Sequence, residues 1–326
     1  MLAKKNIWIV CFFLTLGLLV SPVFVHAFDI RLGTGSPGSF SYFSGRALCR
    51  MINNQVADLN CEQVAAADAE EGDVYNLTNL HDGSLDLILV DSRPLFDAIN
   101  NTGSFEFLDI NYNNLRVLAP LYDTPISLIV RNDAGIISLA DLKGKRVNAG
   151  APGSVEYLAM NRILKAKKWS NKDFTLLGNL SPSQSNDDRK AFCYGTMQAM
   201  VYIGIHPDFS LRRLLKTCNG SLLSMEDDDI NALISSDPAL WKTELPSGIY
   251  PSQPGNVITF GTRTMLVASD DLDRETVYTI IETIDNNKTY LKEIHQSLGL
   301  FSTEVARKNP DGLQLHPGAV RYFSEH

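Results

Sequence analysis

The stretch 29–45, DIRLGTGSPGSFSYFSG, restricts what this chain can fold into more than any other. Asp29, Ile30, Arg31 and Leu32 read as a short strand, and 33–39 as a small, polar, glycine-rich turn. From Ser41 onward Phe43, Ala47, Leu48, Met51 and Ile52 recur at helical spacing. A strand, a Gly-rich turn and a helix in that order leave backbone N–H groups free at a helix start, where an anionic or polar ligand is attracted. A second copy runs over 146–164. A strand at 146–149 leads into Gly150-Ala151-Pro152-Gly153-Ser154, then a helix with Val155, Leu158, Ala159, Ile163 and Leu164 on its apolar face. The pair predicts two lobes that each bring one such turn to a shared cleft.

Residues 1–27 stand outside that architecture. Lys4 and Lys5 precede a mostly apolar run from Ile7 to Val20, and Val25-His26-Ala27 fits the small-x-small rule of signal peptidase. We therefore expect export to the periplasm with cleavage after Ala27; an uncleaved anchor is the alternative, and Cys11 lacks the surroundings of a lipoprotein site. The chain carries 29 Lys and Arg against 37 Asp and Glu, a net charge of −8 that becomes −10 without Lys4 and Lys5. Such a balance argues against nucleic acid as a partner. The other cysteines, Cys49, Cys61, Cys193 and Cys218, form no CxxC, and their spacing favours Cys49–Cys61 and Cys193–Cys218 disulfides, with free buried thiols as the alternative.

Along the chain helical and strand patterns alternate, which places it in the α/β class. Strands are expected at 61–66, 85–90, 115–121, 126–130, 174–177, 197–203 and 221–225, and a long one at 257–268. Helices are expected around Val74, Leu77 and Leu80, around Leu211 and Leu214, over 230–241 and over 274–298, with a polar stretch at 181–188 and a loop at 246–254. The strands around Asp123-Thr124-Pro125 read as the first crossing between lobes and 257–268 as the return. Lobe 1 would then be 28–123 with 256–326, and lobe 2 would be 124–255.

Three chemistries were weighed. Gly33, Gly35 and Gly38 spell G-x-G-x-x-G, with Glu62 near where a ribose-binding acid would stand, which raises a dinucleotide-dependent oxidoreductase. The exported compartment weighs against a soluble nicotinamide cofactor, and the same glycines serve any ligand held by backbone N–H groups. Nucleophilic catalysis lacks a G-x-S-x-G, and the histidines 81, 206, 295, 316 and 326 are scattered without a metal-ligand spacing. The carboxylates Glu70-Glu71 and Asp227-Asp228-Asp229 read as surface turns. No cofactor, no metal and no catalytic residue is expected.

Five segments in order carry a resemblance: GTGSPGSFSYFSG, NLHDGSLDLILVDS, ISLADLKGKRVNAGAPGS, YGTMQAMVYIGIHP and GIYPSQPGNVITFGTRTMLVAS. Together they resemble the TAXI family of periplasmic solute-binding proteins that serve TRAP transporters. The resemblance implies a type II-like, two-lobed fold with a hinge, an interlobe cleft that encloses glutamate or a related organic acid, and docking on a two-part permease. It also implies a ligand set drawn from Ser36, Ser39, Phe40, Tyr42, Ser92, Arg93, Gly153, Ser154, Glu156 and Gln198. Several positions depart from the family pattern. Phe40 follows the first loop, Val155 and Glu156 replace small polar residues in the second, Arg93 stands where an Asp is usual, and Gln198 replaces Asp. Arg93 reads either as a bidentate carboxylate clamp or as the partner of a nearby acid. Glu156 reads as a helix-dipole acid or as a group that repels a carboxylate and attracts an amine.

The sequence thus predicts a monomeric, non-enzymatic binding protein that captures a small polar or anionic solute and passes it to a TRAP-type permease. Alternatives are a sensor of the same fold, a member whose altered loops serve partner binding, and the dinucleotide enzyme.

Overall fold

The computed structural model describes residues 28–67, 72–178, 185–251, 253–307 and 313–326. The signal-peptide segment and the first half of the 181–188 stretch lie outside these residues. In chain order the elements are β1 (Phe28–Thr34), α1 (Phe40–Gln55), β2 (Leu59–Ala65), α2 (Gly72–His81), β3 (Leu87–Asp91) and α3 (Ser92–Asn100). The long β4 (Leu115–Arg131) leads to β5 (Arg146–Asn148), α4 (Val155–Lys167), β6 (Leu176–Leu177), α5 (Ser185–Cys193) and β7 (Ala199–Ile203). Then come α6 (Phe209–Thr217), β8 (Gly220–Leu223), α7 (Asp228–Ser236), β9 (Trp241–Leu245) and β10 (Val257–Ser269). The chain ends with α8 (Arg274–Asn286), α9 (Lys288–Ile294), α10 (Thr303–Arg307) and α11 (Pro317–Glu325).

One sheet runs β2-β1-β3-β10-β4-β7-β5-β6, with β8 beside β4 and β9 beside β10. Its two halves have separate cores on both faces. In the first half, Ile30, Leu48, Leu89 and Ile281 pack on one side and Leu77, Ile88, Phe96 and Val267 on the other. In the second, Leu128, Val147, Met160 and Ile163 face one way and Ile129, Phe192, Leu215 and Tyr250 the other. Helices on both faces are what buried parallel strands require.

Only β4 and β10 span both halves, and their directions fix where the cleft lies. β10 is antiparallel to β3 with Thr264 opposite Asp91, and β4 is antiparallel to β7 with Ile126 opposite Ile203. The carboxyl ends of β1 and β3 therefore point toward those of β5 and β7. Between Thr264 and Phe260, which faces Ile126, β10 advances about 13 Å at the usual strand rise. That gap is floored by Asp123, Thr124 and Pro125 of β4 and Gly261, Thr262 and Arg263 of β10.

Three local expectations are corrected. The two strands around Asp123-Thr124-Pro125 are one continuous strand, because Pro125 sits where β4 changes partners and faces Gly261, whose missing side chain leaves room. A Cβ on Gly261 would lie 2.2 Å from the Thr124 carbonyl oxygen. The helix expected over 274–298 breaks at Asn287, whose amide donates to the Thr283 carbonyl at 2.8 Å and competes with the helix ladder. The helix over 230–241 stops at Ser236, since Pro238 disfavours helical backbone at Asp237, and Trp241 opens β9. The end of the polar 181–188 stretch is helical, as the start of α5. Both expected disulfides are present, Cys49–Cys61 tying α1 to β2 and Cys193–Cys218 tying α5 to the end of α6.

Candidate functional site

The two Gly-rich turns are built alike. Both read Gly-x-Pro-Gly-Ser, as Gly35-Ser36-Pro37-Gly38-Ser39 and Gly150-Ala151-Pro152-Gly153-Ser154. In each, the Ser N–H donates back across the turn, Ser39 to the Ser36 carbonyl at 3.0 Å and Ser154 to the Ala151 carbonyl at 2.9 Å. Pro at the second position and a Gly at positive φ at the third (96° for Gly38, 88° for Gly153) are the requirements of a type II turn. Each Ser then caps its helix, accepting from the Tyr42 N–H at 3.1 Å and the Tyr157 N–H at 3.2 Å. The first two N–H groups of α1 (Phe40, Ser41) and of α4 (Val155, Glu156) have no hydrogen-bond partner among the described residues. The turns end β1 and β5, so they approach the gap from opposite sides, with a positive helix end on each.

The β3–α3 junction forms a third wall. Asp91 caps α3 through the Arg93 N–H at 2.9 Å and accepts from Thr262 Oγ1 at 2.5 Å. Ser92 is fully buried; its hydroxyl donates to the Ala239 carbonyl at 2.9 Å and accepts from the Arg263 N–H at 3.1 Å. The Arg93 guanidinium pairs with Asp237, from the segment leading to β9, with Asp97 4.0 Å away on its own helix. Of the two readings of Arg93, the structure realises the pairing with a nearby acid. On the floor, Arg263 pairs with Asp123 and lies 4.2 Å from the Trp241 ring.

Glu156 on the second turn, Arg162 and Asp73 have no ion pair or hydrogen bond among the described residues. Arg162, on the third turn of α4, has Arg93, Asp237, Asp97 and Asp91 as its electrostatic neighbours; burial and then the Arg93 charge push its guanidinium below the usual range. Asp73, in the first turn of α2, is recessed beside Asp91, and burial together with the Asp91 charge raises its pKa to about 7. Asp91 is itself raised by burial, opposed by its bonds from Thr262 and Arg93. Sequence reasoning missed both Arg162 and Asp73. Arg162 left a signal, a lone cation between Met160 and Ile163 in an apolar helical run; Asp73 read as an ordinary first-turn acid and left none.

The structure gathers Ser36, Ser39, Phe40 and Tyr42 on the first turn and Gly153, Ser154 and Glu156 on the second. Phe40 is also packed, its ring 4.9 Å from Tyr122 and 4.8 Å from His295. Gln198 lies elsewhere. It precedes β7 at the end remote from the gap, where its side-chain oxygen accepts the Arg146 N–H at 2.9 Å. The nucleotide motif is also recast. Gly33 belongs to β1, where a Cβ would meet Leu85 at 2.5 Å and the Asn76 side chain of α2 at 2.9 Å, so its role is close packing. Glu62 faces Arg31 in mid-strand and is exposed. Among the described residues no group of three His, Cys, Asp or Glu side chains suits a metal ion, and no helix is long and apolar enough to cross a membrane.

The halves touch across the gap at several points. The Arg93–Asp237 pair is one; His295, hydrogen-bonded to the Pro207 backbone, is another; and Ile205 packs against the first half's core. Behind the second wall, buried His206 contacts Ser127 Oγ at 3.0 Å and Tyr250 OH at 2.6 Å, and burial lowers its pKa to about 4.

A family model described as the NMT1-like family matches residues 32–326. The chain belongs to the NMT1-like family. This NMT1-like protein also resembles a TctC solute binding protein from Polaromonas, at 15% identity and TM-score 0.54, over 83% of this chain and 85% of that one. A further similar structure is the periplasmic aliphatic sulphonate binding protein SsuA from Escherichia coli, at 16% identity and TM-score 0.48, over 91% of this chain and 83% of that one. The fold of this NMT1-like chain is accordingly the two-lobed α/β architecture of periplasmic solute-binding proteins.

Proposed function

We propose that the chain is an exported solute-binding protein that closes on a small polar solute carrying a carboxylate, a glutamate-like amino acid or an organic acid, and hands it to a TRAP-type permease. The observation that carries this reading is the matched pair of Gly-x-Pro-Gly-Ser turns approaching one gap from opposite lobes. Each supplies free N–H groups and a helix dipole, worth about 0.3–1 kcal/mol per helix toward an anion and more when desolvated. Arg162 adds a guanidinium with no hydrogen bond or ion pair among the described residues. The lobe division expected from the sequence, 28–123 with 256–326 against 124–255, fits hinge closure over β4 and β10. The resemblance to the TAXI family favours a TRAP-type permease as recipient. The ligand set drawn here is Ser36, Ser39, Tyr42, Gly153, Ser154 and Arg162, with Phe40 as a wall.

A partner-binding protein of the same fold is the second reading. It is favoured by Ser92, whose hydroxyl is spent on Ala239 and Arg263, and by the pairing of the Arg93 guanidinium with Asp237. Calorimetric titration of the refolded chain from Phe28, with glutamate, a dicarboxylate, a monocarboxylate and an amine, separates the two. Saturable binding of a carboxylate solute that weakens about tenfold or more in Arg162→Gln supports solute capture. Heats indistinguishable from dilution for every solute support the second reading.

A further inference from the structure

A groove of about 280 Å³ runs between α1 and α9, lined by Phe43, Arg46, Ala47, Arg50, Tyr290 and Ile294. Phe43 is 43% exposed and Tyr290 41%, so two aromatic rings stand open at its sides. Buried Ala47 leaves its floor shallow between them. Arg46 and Arg50 lie one helical turn apart on the exposed face of α1. Neither has a hydrogen bond or ion pair among the described residues, whereas Arg31, Arg93, Arg116, Arg131, Arg263 and Arg321 each hold a carboxylate. Two unpaired guanidiniums on one helix face are an isolated positive spot on a chain of net charge −8. The platform is fixed, because the Cys49–Cys61 bridge and the buried residues Leu48, Met51 and Ile52 hold α1 to the sheet.

We propose that this groove docks a partner protein through an acidic segment, with two carboxylates for Arg46 and Arg50 and an aromatic or branched apolar side chain for the slot between Phe43 and Tyr290. Planar guanidinium forks favour carboxylates, and an apolar slot beside them selects a peptide chain over a free anion. A concave site is shaped for a protruding side chain rather than for a flat lipid surface. The aromatic side of the groove continues inward, since the Phe43 ring lies 5.6 Å from Phe40, which packs on Tyr122 and His295 beside the contact with Pro207. The docked segment would thus sit on the flank of the interlobe gap. The groove lies outside the solute cleft, so this inference stands whichever solute the cleft takes.

The test is fluorescence anisotropy with the chain from Phe28 and a labelled synthetic peptide whose centre reads Asp-Glu-Leu-Phe-Asp-Glu. A control peptide carries Asn and Gln in place of the acids. Binding that weakens about tenfold or more for the control peptide, for the Arg46→Gln/Arg50→Gln variant and for the Arg46→Glu/Arg50→Glu variant supports the proposal, as does loss on raising salt from 50 to 200 mM. Equal affinity for both peptides overturns it, as does unchanged binding by both variants. Tighter binding to phosphatidylglycerol vesicles than to the acidic peptide assigns the patch to a membrane. A concentration-dependent dimer in sedimentation, dispersed by the charge reversal, assigns it to a second copy of this chain. Either of those results also overturns the proposal.

Discussion

Asp73 and Arg162 lie near the cleft with no hydrogen bond or ion pair among the described residues, and each makes a separable prediction. The Asp73 carboxyl titrates at about 7 in the folded chain against an ordinary value of 3.8. Its protonated form therefore stabilises the fold at low pH, and that stabilisation is lost as pH rises through about 7. Asp73→Asn should raise the thermal midpoint at pH 8, by a gain of about 1–2 kcal/mol after allowing for solvent at the recessed site, and leave it unchanged near pH 4. A variant that gains nothing at pH 8 would contradict this. His206 acts in the opposite sense. Its folded pKa of about 4 lies below the ordinary 6.5, so acidification from 6.5 toward 4 penalises the folded state. Arg162→Gln removes a desolvated cation from beside Arg93, so it should not lower the midpoint of the empty protein while it removes solute-dependent stabilisation.

At the scale of elements, the two Gly-x-Pro-Gly-Ser turns set helix starts through equivalent bonds, so their substitutions should behave alike. Ser39→Ala and Ser154→Ala each lose a cap and should cost about 1 kcal/mol in denaturant unfolding. Gly153→Ala, at φ 88° with nothing within 4 Å of the added Cβ, should cost about 1 kcal/mol through backbone conformation alone. Gly261→Ala meets the Thr124 carbonyl at 2.2 Å between the two crossing strands and should cost about 3 kcal/mol. These turns and the long strand β10 were legible in the sequence, because Gly, Pro and Ser at fixed offsets and an unbroken apolar run are local signals. What was not legible depends on distant partners. Pro125 looked like a break until Gly261 was seen opposite it, and Arg93 looked available until Asp237 arrived from a segment 144 residues away. Trp241 looked helical because Leu240 continued the stripe, yet Pro238 had already ended the helix. Gln198, expected at the ligand, lies at the wrong end of its strand to reach the gap, an outcome that strand direction decides and sequence spacing does not.

At the scale of the molecule, each lobe carries one disulfide, closing loops of 12 and 25 residues. Reduction of either should cost about 3 kcal/mol by chain entropy, lowering the thermal midpoint under reducing conditions. Neither bridge crosses the gap, so no covalent link opposes parting of the Arg93–Asp237 and His295–Pro207 contacts. The central claim is that a solute enters between the two Gly-x-Pro-Gly-Ser turns and is held there by N–H groups and Arg162. The most direct measurement is the thermal midpoint of the unfolded-and-refolded chain from Phe28 across amino acids, dicarboxylates, keto acids, amines and nicotinamide nucleotides, beside Arg162→Gln. At a hundredfold excess over its dissociation constant, a true solute stabilises by about 2.7 kcal/mol, a rise of several degrees. That rise is expected for a carboxylate-bearing solute in the native chain, and its loss in Arg162→Gln. A rise with nicotinamide nucleotides alone, or an equal rise in both proteins, would contradict it.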